Sequence, residues 1–459
     1  MFFRQYDLAC LSLYSYLIGD TTTGRAVVVD PQRDIGEYLA DAGAQGLRIE
    51  RVLETHFHAD FLSGHLELAR TTGAAISYGD VARTEFAIEP LAHGQRLELG
   101  QVVLEIRHTP GHTPESISIV VYRETDGEPW AVLTGDALFI GDVGRPDLLT
   151  SVGRTADGLA RDLYRSLHTQ LLTLPDDTLV YPAHGAGSAC GKHLSAAASS
   201  TIGEQRSTNY ALAPMTEDEF VAAVTEGQGV APLYFAFTAD ANRRDRDVLD
   251  DHQPPPRLTV GEAVALGRAG AVLIDTRSPG SFASGHLRGS INVGLDGRFA
   301  EYAGDVIRPG QQVVLVDDAG RGLEGKVRLA RIGFDAVIGE LPDVESALAA
   351  HPELAQPASR LSATDVAGWL AEEPDLQLVD VRNPGETRVA GVIPGAHTIP
   401  LSRLLDELHQ LDAARPTVVY CAGGYRSSIA ASTLRAYGFD QVADLIGGYS
   451  AWLTATAPV

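Results

Sequence analysis

Short apolar runs alternate with helical stretches along the first half of the chain. The runs RAVVVD, RIERVLET, VVLEIRHT, WAVLTGD and TLVYPAH are rich in β-branched residues, which favours strands. Residues 66–72 and 159–173 have the apolar spacing of helices. Several of the strand runs end directly in His or Asp, and side chains at strand ends project into a cleft. The pattern therefore predicts a scaffold that presents polar ligands on loops.

The second half of the chain repeats itself. A segment that begins LTVGEAVALGRAGAVLIDTRSPG at Leu258 parallels one that begins LSATDVAGWLAEEPDLQLVDVRNPG at Leu361. Each copy continues with a strand, a helix and a Gly-Phe-Asp turn. Strands that alternate with helices at this spacing predict a mostly parallel sheet covered on both faces. We therefore predict two α/β domains, at residues 258–355 and 361–459.

A charged and then proline-rich segment separates the two halves. Residues 238–256 read TADANRRDRDVLDDHQPPP and contain few apolar side chains. Such a composition is typical of a linker or of an exposed surface connection. The predicted organisation is one domain over residues 1–240, a linker at 241–257 and then the two repeated domains.

Composition and charge narrow the range of functions. The formal net charge of −24 disfavours a nucleic-acid partner, because binding to a phosphate backbone needs a basic surface. The chain has no apolar run of membrane-spanning length, and MFFRQYDLAC lacks the features of a signal peptide. Cys10, Cys190 and Cys421 are odd in number and far apart, which predicts reduced thiols. We expect a soluble cytoplasmic protein that binds neither nucleic acid nor membranes.

The second copy carries a cysteine loop between a predicted strand, 417–420, and a predicted helix. The loop consists of Cys421, Ala422, Gly423, Gly424, Tyr425, Arg426 and Ser427. Its two glycines let the loop amides curl toward the sulfur. The helix N-terminus and Arg426 add positive charge, which favours the nucleophilic thiolate, and a guanidinium can hold two oxygens of an anion. A buried structural cysteine would not need these features.

This loop resembles that of the rhodanese family of sulfurtransferases. The motifs DVRNPGE at 380–386 and PGAHTIPL at 394–401 support the resemblance. Phosphatases with the same loop design have five residues between Cys and Arg, whereas four lie between Cys421 and Arg426. The smaller ring suits a terminal sulfur better than a phosphoryl group. The resemblance implies that Cys421 carries a persulfide and that Arg426 acts with it on anionic substrates.

The first copy lacks the cysteine. Aligning the strands and the Gly-Phe-Asp turns places Asp317 where Cys421 sits in the second copy. Because a carboxylate cannot carry a persulfide, we predict a catalytically silent, pseudo-rhodanese domain used for packing, spacing or dimerisation. His286 is interpreted as a fold residue. For Arg321, anion binding is weighed against a solvated surface position, and the latter is favoured.

Histidines and aspartates at strand ends predict a metal site in the first half. The candidates are His56, His58, Asp60, His112, Asp136 and His184. A single histidine is usually a core or surface residue, but four at strand ends together with two aspartates are hard to explain by packing.

This half resembles the metallo-β-lactamase superfamily, and its glyoxalase II branch, over about its first two hundred residues, which implies an αββα sandwich. Members with two metals use His-x-His-x-Asp-His, whereas Phe61 stands at the last of these positions and argues against a two-zinc cluster. His56, His112 and Asp136 remain. Two imidazoles and one carboxylate are the ligand set of the facial triad in non-haem Fe(II) oxygenases, with three open positions.

Persulfide dioxygenases resemble this half more closely than the hydrolases do, on GDVGRPDL at 141–148 and on residues 187–206. The resemblance implies that a low-molecular-weight thiol persulfide, of glutathione or coenzyme A, binds mononuclear Fe(II) and that O2 converts its terminal sulfur to sulfite. His58, Asp60 and His184 would then orient ligands or handle protons, and a fourth-ligand role for His58 stays open. Cys190 either approaches the metal as a sulfur relay or is a small buried thiol.

The whole chain resembles fusions of a persulfide dioxygenase with a rhodanese, in the subgroup that has an intervening pseudo-rhodanese domain. The implied function couples sulfite to the Cys421 persulfide and yields thiosulfate, although the reverse direction stays open. Relatives of the metal half lead us to expect a homodimer or homotetramer. The alternative is a zinc thioester hydrolase of the glyoxalase II type with an attached sulfur carrier. The intact motifs disfavour a non-catalytic sulfur sensor.

Overall fold

The computed structural model describes residues 1–148 and 153–456. The chain divides into two compact units. Unit 1 comprises Met1–Gln228 and Phe235–Leu249, and unit 2 comprises Gly229–Tyr234 and the chain from Asp250 onward. Among the described residues, no helix combines the length and the apolar character needed to cross a membrane.

Two sheets form the frame of unit 1. The strands of the first sheet are β1 (Phe2–Leu8), β2 (Leu13–Asp20), β3 (Arg25–Val29), β4 (Arg48–Leu53) and β5 (Ala75–Ser77). Those of the second sheet are β6 (Arg96–Glu98), β7 (Val103–His108), β8 (Ile117–Tyr122), β9 (Pro129–Gly135), β10 (Leu179–Pro182) and β11 (Ser200–Thr201). Neighbours in sequence are neighbours in each sheet. The first sheet becomes parallel from β3 onward, and the second is antiparallel except between β9 and β10.

Helices cover the outer faces of both sheets. The helices of unit 1 are α1 (Gly36–Ala44), α2 (His65–Thr72), α3 (Ala156–Ser166), α4 (Ile202–Thr208), α5 (Glu217–Thr225) and α6 (Phe235–Ala241). A π-helical turn, Leu167–Leu171, extends α3, and a 3₁₀ turn spans Tyr210–Leu212. One apolar cluster lies between the sheets, and one lies under the helices on each side. Because β2 is buried at every position, it must be covered on both faces. The expected αββα sandwich is confirmed.

The first copy in unit 2 is built on a parallel sheet. Its strands are β12 (Val272–Asp275), β13 (His286–Leu287), β14 (Ile291–Asn292), β15 (Val313–Val316), β16 (Val337–Leu341) and β17 (Ala355–Gln356). The sheet order is β14–β12–β15–β16, while β13 and β17 form a separate antiparallel pair. The helices are α7 (Val260–Arg268), α8 (Pro279–Ser284), α9 (Phe299–Val306), α10 (Gly322–Ala330) and α11 (Val344–Ala350), with a 3₁₀ turn at Pro352–Leu354.

The second copy repeats this architecture. Its strands are β18 (Ser359–Leu361), β19 (Gln377–Asp380), β20 (His397–Thr398), β21 (Thr417–Tyr420) and β22 (Val442–Leu445), in the parallel order β18–β22–β21–β19–β20. The helices are α12 (Ala363–Glu372), α13 (Pro384–Ala390), α14 (Leu404–Glu407), α15 (Tyr425–Ala436) and α16 (Gly448–Thr456), with 3₁₀ turns at Leu401–Arg403 and Leu408–Gln410. The predicted α/β class with mostly parallel sheets is confirmed. Both copies lie within unit 2.

The segment predicted as a linker begins inside unit 1 and stays with it through Leu249. Asn242 is fully buried, and its side-chain amide donates to the carbonyl oxygens of His58 and Phe61 at 2.8 and 2.9 Å. Arg246 donates to Glu67 at 2.7 Å. The polar side chains of this stretch therefore form hydrogen bonds to the loop after β4 and to α2. The structure differs here from the predicted start of the linker at residue 241.

Candidate functional site

Strand ends of unit 1 bring His56, His112 and Asp136 together. His56 follows β4, His112 follows β7, and Asp136 follows β9 directly. The Nε2 atoms of His56 and His112 lie 3.7 and 3.4 Å from Asp136 Oδ2. All three side chains are buried, and one ligand atom of each lies within 4.8 Å of the others. This spacing allows the three side chains to hold one metal ion.

Two atoms of this group are buried without a hydrogen-bond partner among the described residues. Within the described part of the chain, His56 Nε2 and Asp136 Oδ2 have no hydrogen-bond partner, although both are buried. The opposite nitrogen, Nδ1, is engaged in both histidines: with Thr55 Oγ1 at 2.9 Å in His56 and with the Arg145 carbonyl oxygen at 2.9 Å in His112. These contacts orient the rings so that Nε2 faces Asp136. A metal ion would satisfy the unpartnered atoms.

The electrostatics of the group suit metal binding. Burial, together with the neighbouring His58, holds the pKa of His56 well below its ordinary value, so this ring is neutral. Burial acts to raise the pKa of Asp136, but His184 and His56 outweigh burial and hold it below the ordinary value. A neutral imidazole and an ionised carboxylate are the forms that bind metals.

His184 connects two carboxylates next to the candidate ligands. Its Nδ1 lies 2.7 Å from Asp136 Oδ1, and its Nε2 lies 2.8 Å from Asp60 Oδ2. Burial acts to lower the pKa of His184, but Asp136 and Asp60 outweigh burial and raise it well above the ordinary value. His184 therefore lies between two carboxylates that favour its protonated form. This leaves Asp136 Oδ2 directed at the metal position.

His58 lies beside the group but faces other partners. Its Nε2 is 3.1 Å from Asp30 Oδ1 and 3.7 Å from Glu54 Oε2. Its ring packs against His56 and against Phe61, at centroid distances of 4.0 and 4.3 Å. Phe61 thus contributes an apolar contact where two-metal relatives are expected to carry a ligand. The buried His58, Asp30 and Glu54 also have one ligand atom each within 4.8 Å of the others.

Cys190 lies at the edge of the metal position. Cys190 is buried. Its sulfur, one side-chain atom of Asp136 and one of His184 all lie within 4.8 Å of one another. Burial raises the pKa of the Cys190 thiol well above its ordinary value, and Asp60 and Asp136 add to this effect. The structure therefore brings Cys190 to the site as a neutral thiol.

A cavity of about 470 Å³ adjoins the loops that carry the histidines. Phe57, between His56 and His58, forms part of its wall, and Pro110 and Pro114 lie on either side of His112 in sequence. The remaining lining residues are Val81, Ala82, Glu115, Arg154, Asp162 and Arg243. The volume is in the range of small-molecule sites.

The second site is the buried sulfur of Cys421, at the switch from β21 to α15 in unit 2. Cys421 Sγ accepts a hydrogen bond from the Gly424 backbone N–H at 3.1 Å and lies 3.6 Å from Ser427 Oγ. Gly424 has a φ of 100°, which favours glycine over any other residue. The loop therefore curls around the sulfur as its sequence predicts.

The start of α16 donates two backbone hydrogen bonds to this loop. The Tyr449 and Ser450 backbone N–H groups donate to the carbonyl oxygens of Cys421 and Ala422, at 2.7 and 3.1 Å. A Cβ atom on Gly448 would overlap the Cys421 carbonyl oxygen, so this approach requires glycine. The support explains the glycine at 448, while the φ of 72° at Gly447 favours glycine for conformational reasons.

Two families match the chain. The metallo-beta-lactamase superfamily matches residues 9–184, and the rhodanese-like domain matches residues 259–340 and 362–455. The protein "Persulfide dioxygenase ETHE1, mitochondrial" of Bos taurus is 31% identical over 235 residues, which are 50% of this chain and 83% of that protein. The chain belongs to the metallo-β-lactamase superfamily. It is a fusion of a domain homologous to persulfide dioxygenases with two rhodanese-like domains.

Other relatives extend or narrow this assignment. A crystal structure of a metallo-beta-lactamase from Staphylococcus aureus subsp. aureus COL covers 74% of this fusion and 99% of its own chain, with 32% identity and a TM-score of 0.69. The cytoplasmic hydroxyacylglutathione hydrolase of Arabidopsis thaliana is 35% identical over 182 residues, which are 39% of this chain and 66% of that protein. The hydrolase match is therefore shorter than the persulfide dioxygenase match.

In the first rhodanese-like domain of the fusion, carboxylates of the same domain occupy the loop that corresponds to the Cys421 loop. Asp317 follows β15 as Cys421 follows β21, and its Oδ2 accepts the Arg321 N–H at 2.7 Å. The carboxylate of Glu340 occupies the space in which a Cβ on Gly322 would stand. Arg321 donates to Glu324 and Asp296 at 2.8 and 3.1 Å. The loop amides and the arginine therefore bind carboxylates of this same domain.

His286 of the same domain has structural partners. Its ring stacks on Phe282 at 3.8 Å, and its Nδ1 lies 3.1 Å from the Phe282 carbonyl oxygen. Burial lowers the pKa of His286 to about 4. These contacts are consistent with the interpretation of His286 as a fold residue.

The metal half of the fusion uses residues that sequence reasoning missed. Asp30 accepts hydrogen bonds from the backbone N–H and the hydroxyl of Thr55, at 2.7 and 2.8 Å, and so fixes the start of the histidine loop. The signal was present, because the strand run RAVVVD also ends in an aspartate. In the second rhodanese-like domain, Glu386 was missed as well: it pairs with Arg426 and lies inside the motif DVRNPGE.

Proposed function

We propose that this protein is a mononuclear, non-haem Fe(II) persulfide dioxygenase joined to a sulfurtransferase that carries sulfur on Cys421. The observation that carries the proposal is the convergence of His56 Nε2 and Asp136 Oδ2, both buried and unpartnered within the described residues, beside His112. The homology of this half to persulfide dioxygenases supports the choice of reaction.

Iron is the metal that best fits this donor set. Two imidazoles and one carboxylate form the facial set that leaves three positions open for substrate and O2. Phe61 packs on His58 instead of offering a ligand, which disfavours a two-zinc site. When bound, Fe(II) would supply coordination of the persulfide sulfur and activation of O2.

The first reaction converts a thiol persulfide, O2 and water to the free thiol, sulfite and two protons. The terminal sulfur is oxidised and O2 is reduced. The reaction releases two protons, and the row Asp60–His184–Asp136, whose charged groups lie 2.8 and 2.7 Å apart, stands beside the metal position to hold or pass a proton. Burial excludes bulk water from the same row.

We assign the cavity beside Phe57 to the carrier part of the substrate. Its position next to the loops of His56 and His112 leaves the sulfur end free to reach the ligands. The wall carries two cations, Arg243 and Arg154, beside the carboxylates of Glu115 and Asp162, and the cations suit the carboxylates of glutathione or the phosphates of coenzyme A. A homodimer or homotetramer remains part of the proposal.

The second reaction transfers sulfur through Cys421. The thiolate attacks the outer sulfur of a persulfide, a new S–S bond forms as the donor's S–S bond breaks, and the donor takes up the proton of the outer sulfur and leaves as a thiol. Sulfite then attacks the outer sulfur, the Cys421 S–S bond breaks, and thiosulfate leaves while the thiolate is restored. The Gly424 N–H faces the sulfur throughout and stabilises its negative charge. The same steps in reverse would draw sulfur from thiosulfate.

Elemental analysis of protein purified without added metal tests the metal assignment. We expect about one iron per chain, and O2 consumption when glutathione persulfide is added. The hydrolase match supports a second candidate, a zinc thioester hydrolase of the glyoxalase II type fused to the sulfurtransferase. Stoichiometric zinc, thioester cleavage and no O2 consumption would reject the dioxygenase and favour this candidate.

A further inference from the structure

Helix α15, which follows the Cys421 loop, is hydrogen-bonded to the first, silent copy. The Asn292 backbone N–H donates to Ser432 Oγ at 2.9 Å, and the Ser428 hydroxyl donates to Asn292 Oδ1 at 3.0 Å. All three residues are buried. The Asn292 side-chain amide donates to the carbonyl oxygens of Asp275 and Arg277, at 3.1 and 2.9 Å. Asn292 therefore ties the edge of the first sheet to α15.

A second contact reaches the loop itself. The Tyr425 hydroxyl donates to the Gly294 carbonyl oxygen at 2.8 Å. The Tyr425 ring also meets the ring of Tyr302, on α9 of the silent copy, edge to face at a centroid distance of 5.4 Å. Both partners, Gly294 and Tyr302, belong to the copy that lacks a cysteine.

These contacts bear directly on the reacting sulfur. Tyr425 stands between Gly424, whose N–H faces Cys421 Sγ, and Arg426, the cation of the loop. A displacement of Tyr425 would shift both the amide and the guanidinium. The loop has little stiffness of its own, since Gly423 is exposed and has open space around it.

We propose that the silent copy is a positioning element of the sulfur-transfer site, with Asn292 and Tyr302 as positioning residues for the Cys421 loop. This inference rests on the proposed sulfurtransferase activity. Apolar packing alone would hold two domains together. Asn292, which is buried and hydrogen-bonded between β12 and α15, in addition selects one arrangement of the two domains. Any other arrangement would leave buried polar groups unpaired. The silent copy thereby restricts the loop to the geometry in which its amide faces the sulfur.

The test separates loading of Cys421 from turnover, using the full chain. Thiosulfate is added, the persulfide sulfur that cyanide releases is counted per chain, and kcat and KM for sulfur transfer from thiosulfate to cyanide are measured. The variants are Asn292→Ala, Ser428→Ala, Tyr302→Ala and Tyr302→Phe. Thr433→Val is the matched control, because Thr433 is buried in α15 and its hydroxyl donates to Ile429 of the same helix.

We expect every variant to load as much sulfur per chain as the parent protein. In Asn292→Ala and Tyr302→Ala, kcat should fall about tenfold while KM for thiosulfate changes less than about twofold. Ser428→Ala removes one hydroxyl from α15 and leaves the packing of the silent copy unchanged. It should therefore show a smaller fall in kcat. Tyr302→Phe keeps the ring contact and should match the parent, as should Thr433→Val.

An unchanged kcat per loaded sulfur in Asn292→Ala, Ser428→Ala and Tyr302→Ala would overturn the inference. A fall in turnover matched by an equal fall in loadable sulfur would overturn it as well, because that result indicates packing alone. Failure of the parent protein to load sulfur, or loading that persists in Cys421→Ser, would instead reject the sulfurtransferase activity. The two failures are therefore distinguishable.

Discussion

Arg426 and Glu386 form a bidentate ion pair beside the sulfur of the rhodanese-like loop. Nη1 and Nη2 of Arg426 each lie 2.7 Å from a carboxylate oxygen of Glu386. Burial acts to raise the pKa of Glu386, but Arg426 outweighs burial and holds it below the ordinary value. The cation of the loop is therefore already paired, and in the proposed reaction an incoming sulfite would have to share Arg426 with the carboxylate or displace it.

Removing the charge of Glu386 should strengthen anion binding. In Glu386→Gln we expect KM for thiosulfate to fall about threefold to tenfold, because the guanidinium no longer neutralises a carboxylate. Steady-state transfer from thiosulfate to cyanide measures this change. Glu407→Gln is the control, since Glu407 pairs with Arg403 elsewhere in the same copy. A raised KM in Glu386→Gln would show that the pair serves to orient Arg426 for the anion.

Cys421→Ser should change the product and leave O2 consumption intact. With glutathione persulfide as the substrate, the parent protein is expected to yield thiosulfate, and Cys421→Ser should yield sulfite at a similar rate of O2 uptake. Chromatographic quantification of both anions measures the ratio. Cys10→Ser should behave as the parent does. If Cys421→Ser kept the thiosulfate yield, the coupling of the two reactions would be wrong.

The cavity beside Phe57 should determine affinity for the carrier thiol. The Arg243 guanidinium lies over the Phe57 ring, 5.0 Å from its centroid, on the wall of the cavity. In Arg243→Ala we expect KM for glutathione persulfide to rise about tenfold with little change in kcat. The neighbouring Arg244 pairs with Asp240 at 2.5 Å, so Arg244→Ala is the matched control. Equal KM values in both variants would place the carrier elsewhere.

Glu67 should make unit 1 sensitive to acid. Burial acts to raise the pKa of Glu67, but Arg246 and Arg33 lower it from 4.5 to about 2. Because the folded-state pKa is the lower one, the stabilisation is complete above about pH 4.5 and is lost as pH falls toward 2, at about 3 kcal/mol in all. The urea midpoint should therefore drop between pH 7 and pH 3 by more in the parent than in Glu67→Gln. The exposed Glu37→Gln should retain the parent's dependence, and an identical drop in all three proteins would contradict the assignment.

Local patterns were enough to predict much of both sites. The Cys421 loop could be predicted because a strand, two glycines and a helix are consecutive in sequence. The residues His56, His112 and Asp136 each follow a strand run, and strand ends on one side of a sandwich meet. Each of these signals lies within a few residues of the side chain that it identifies.

Contacts between distant segments could not be predicted in the same way. Asn242 is polar, and its burial against the carbonyl of His58 depends on a return of the chain over 184 residues. The pairing of Asn292 with Ser428 spans 136 residues and depends on how two domains pack. Composition describes such residues only as polar, which is why the linker was predicted to begin too early.

O2 uptake with glutathione persulfide tests the central claim most directly, when His112→Ala is compared with His108→Ala. His112 faces Asp136, whereas the ring of His108 lies 2.9 Å from the Leu91 carbonyl oxygen at the end of β7. We predict that His112→Ala loses both bound iron and O2 uptake and keeps transfer of sulfur from thiosulfate to cyanide, while His108→Ala resembles the parent. Undiminished O2 uptake in His112→Ala would contradict the iron site described above.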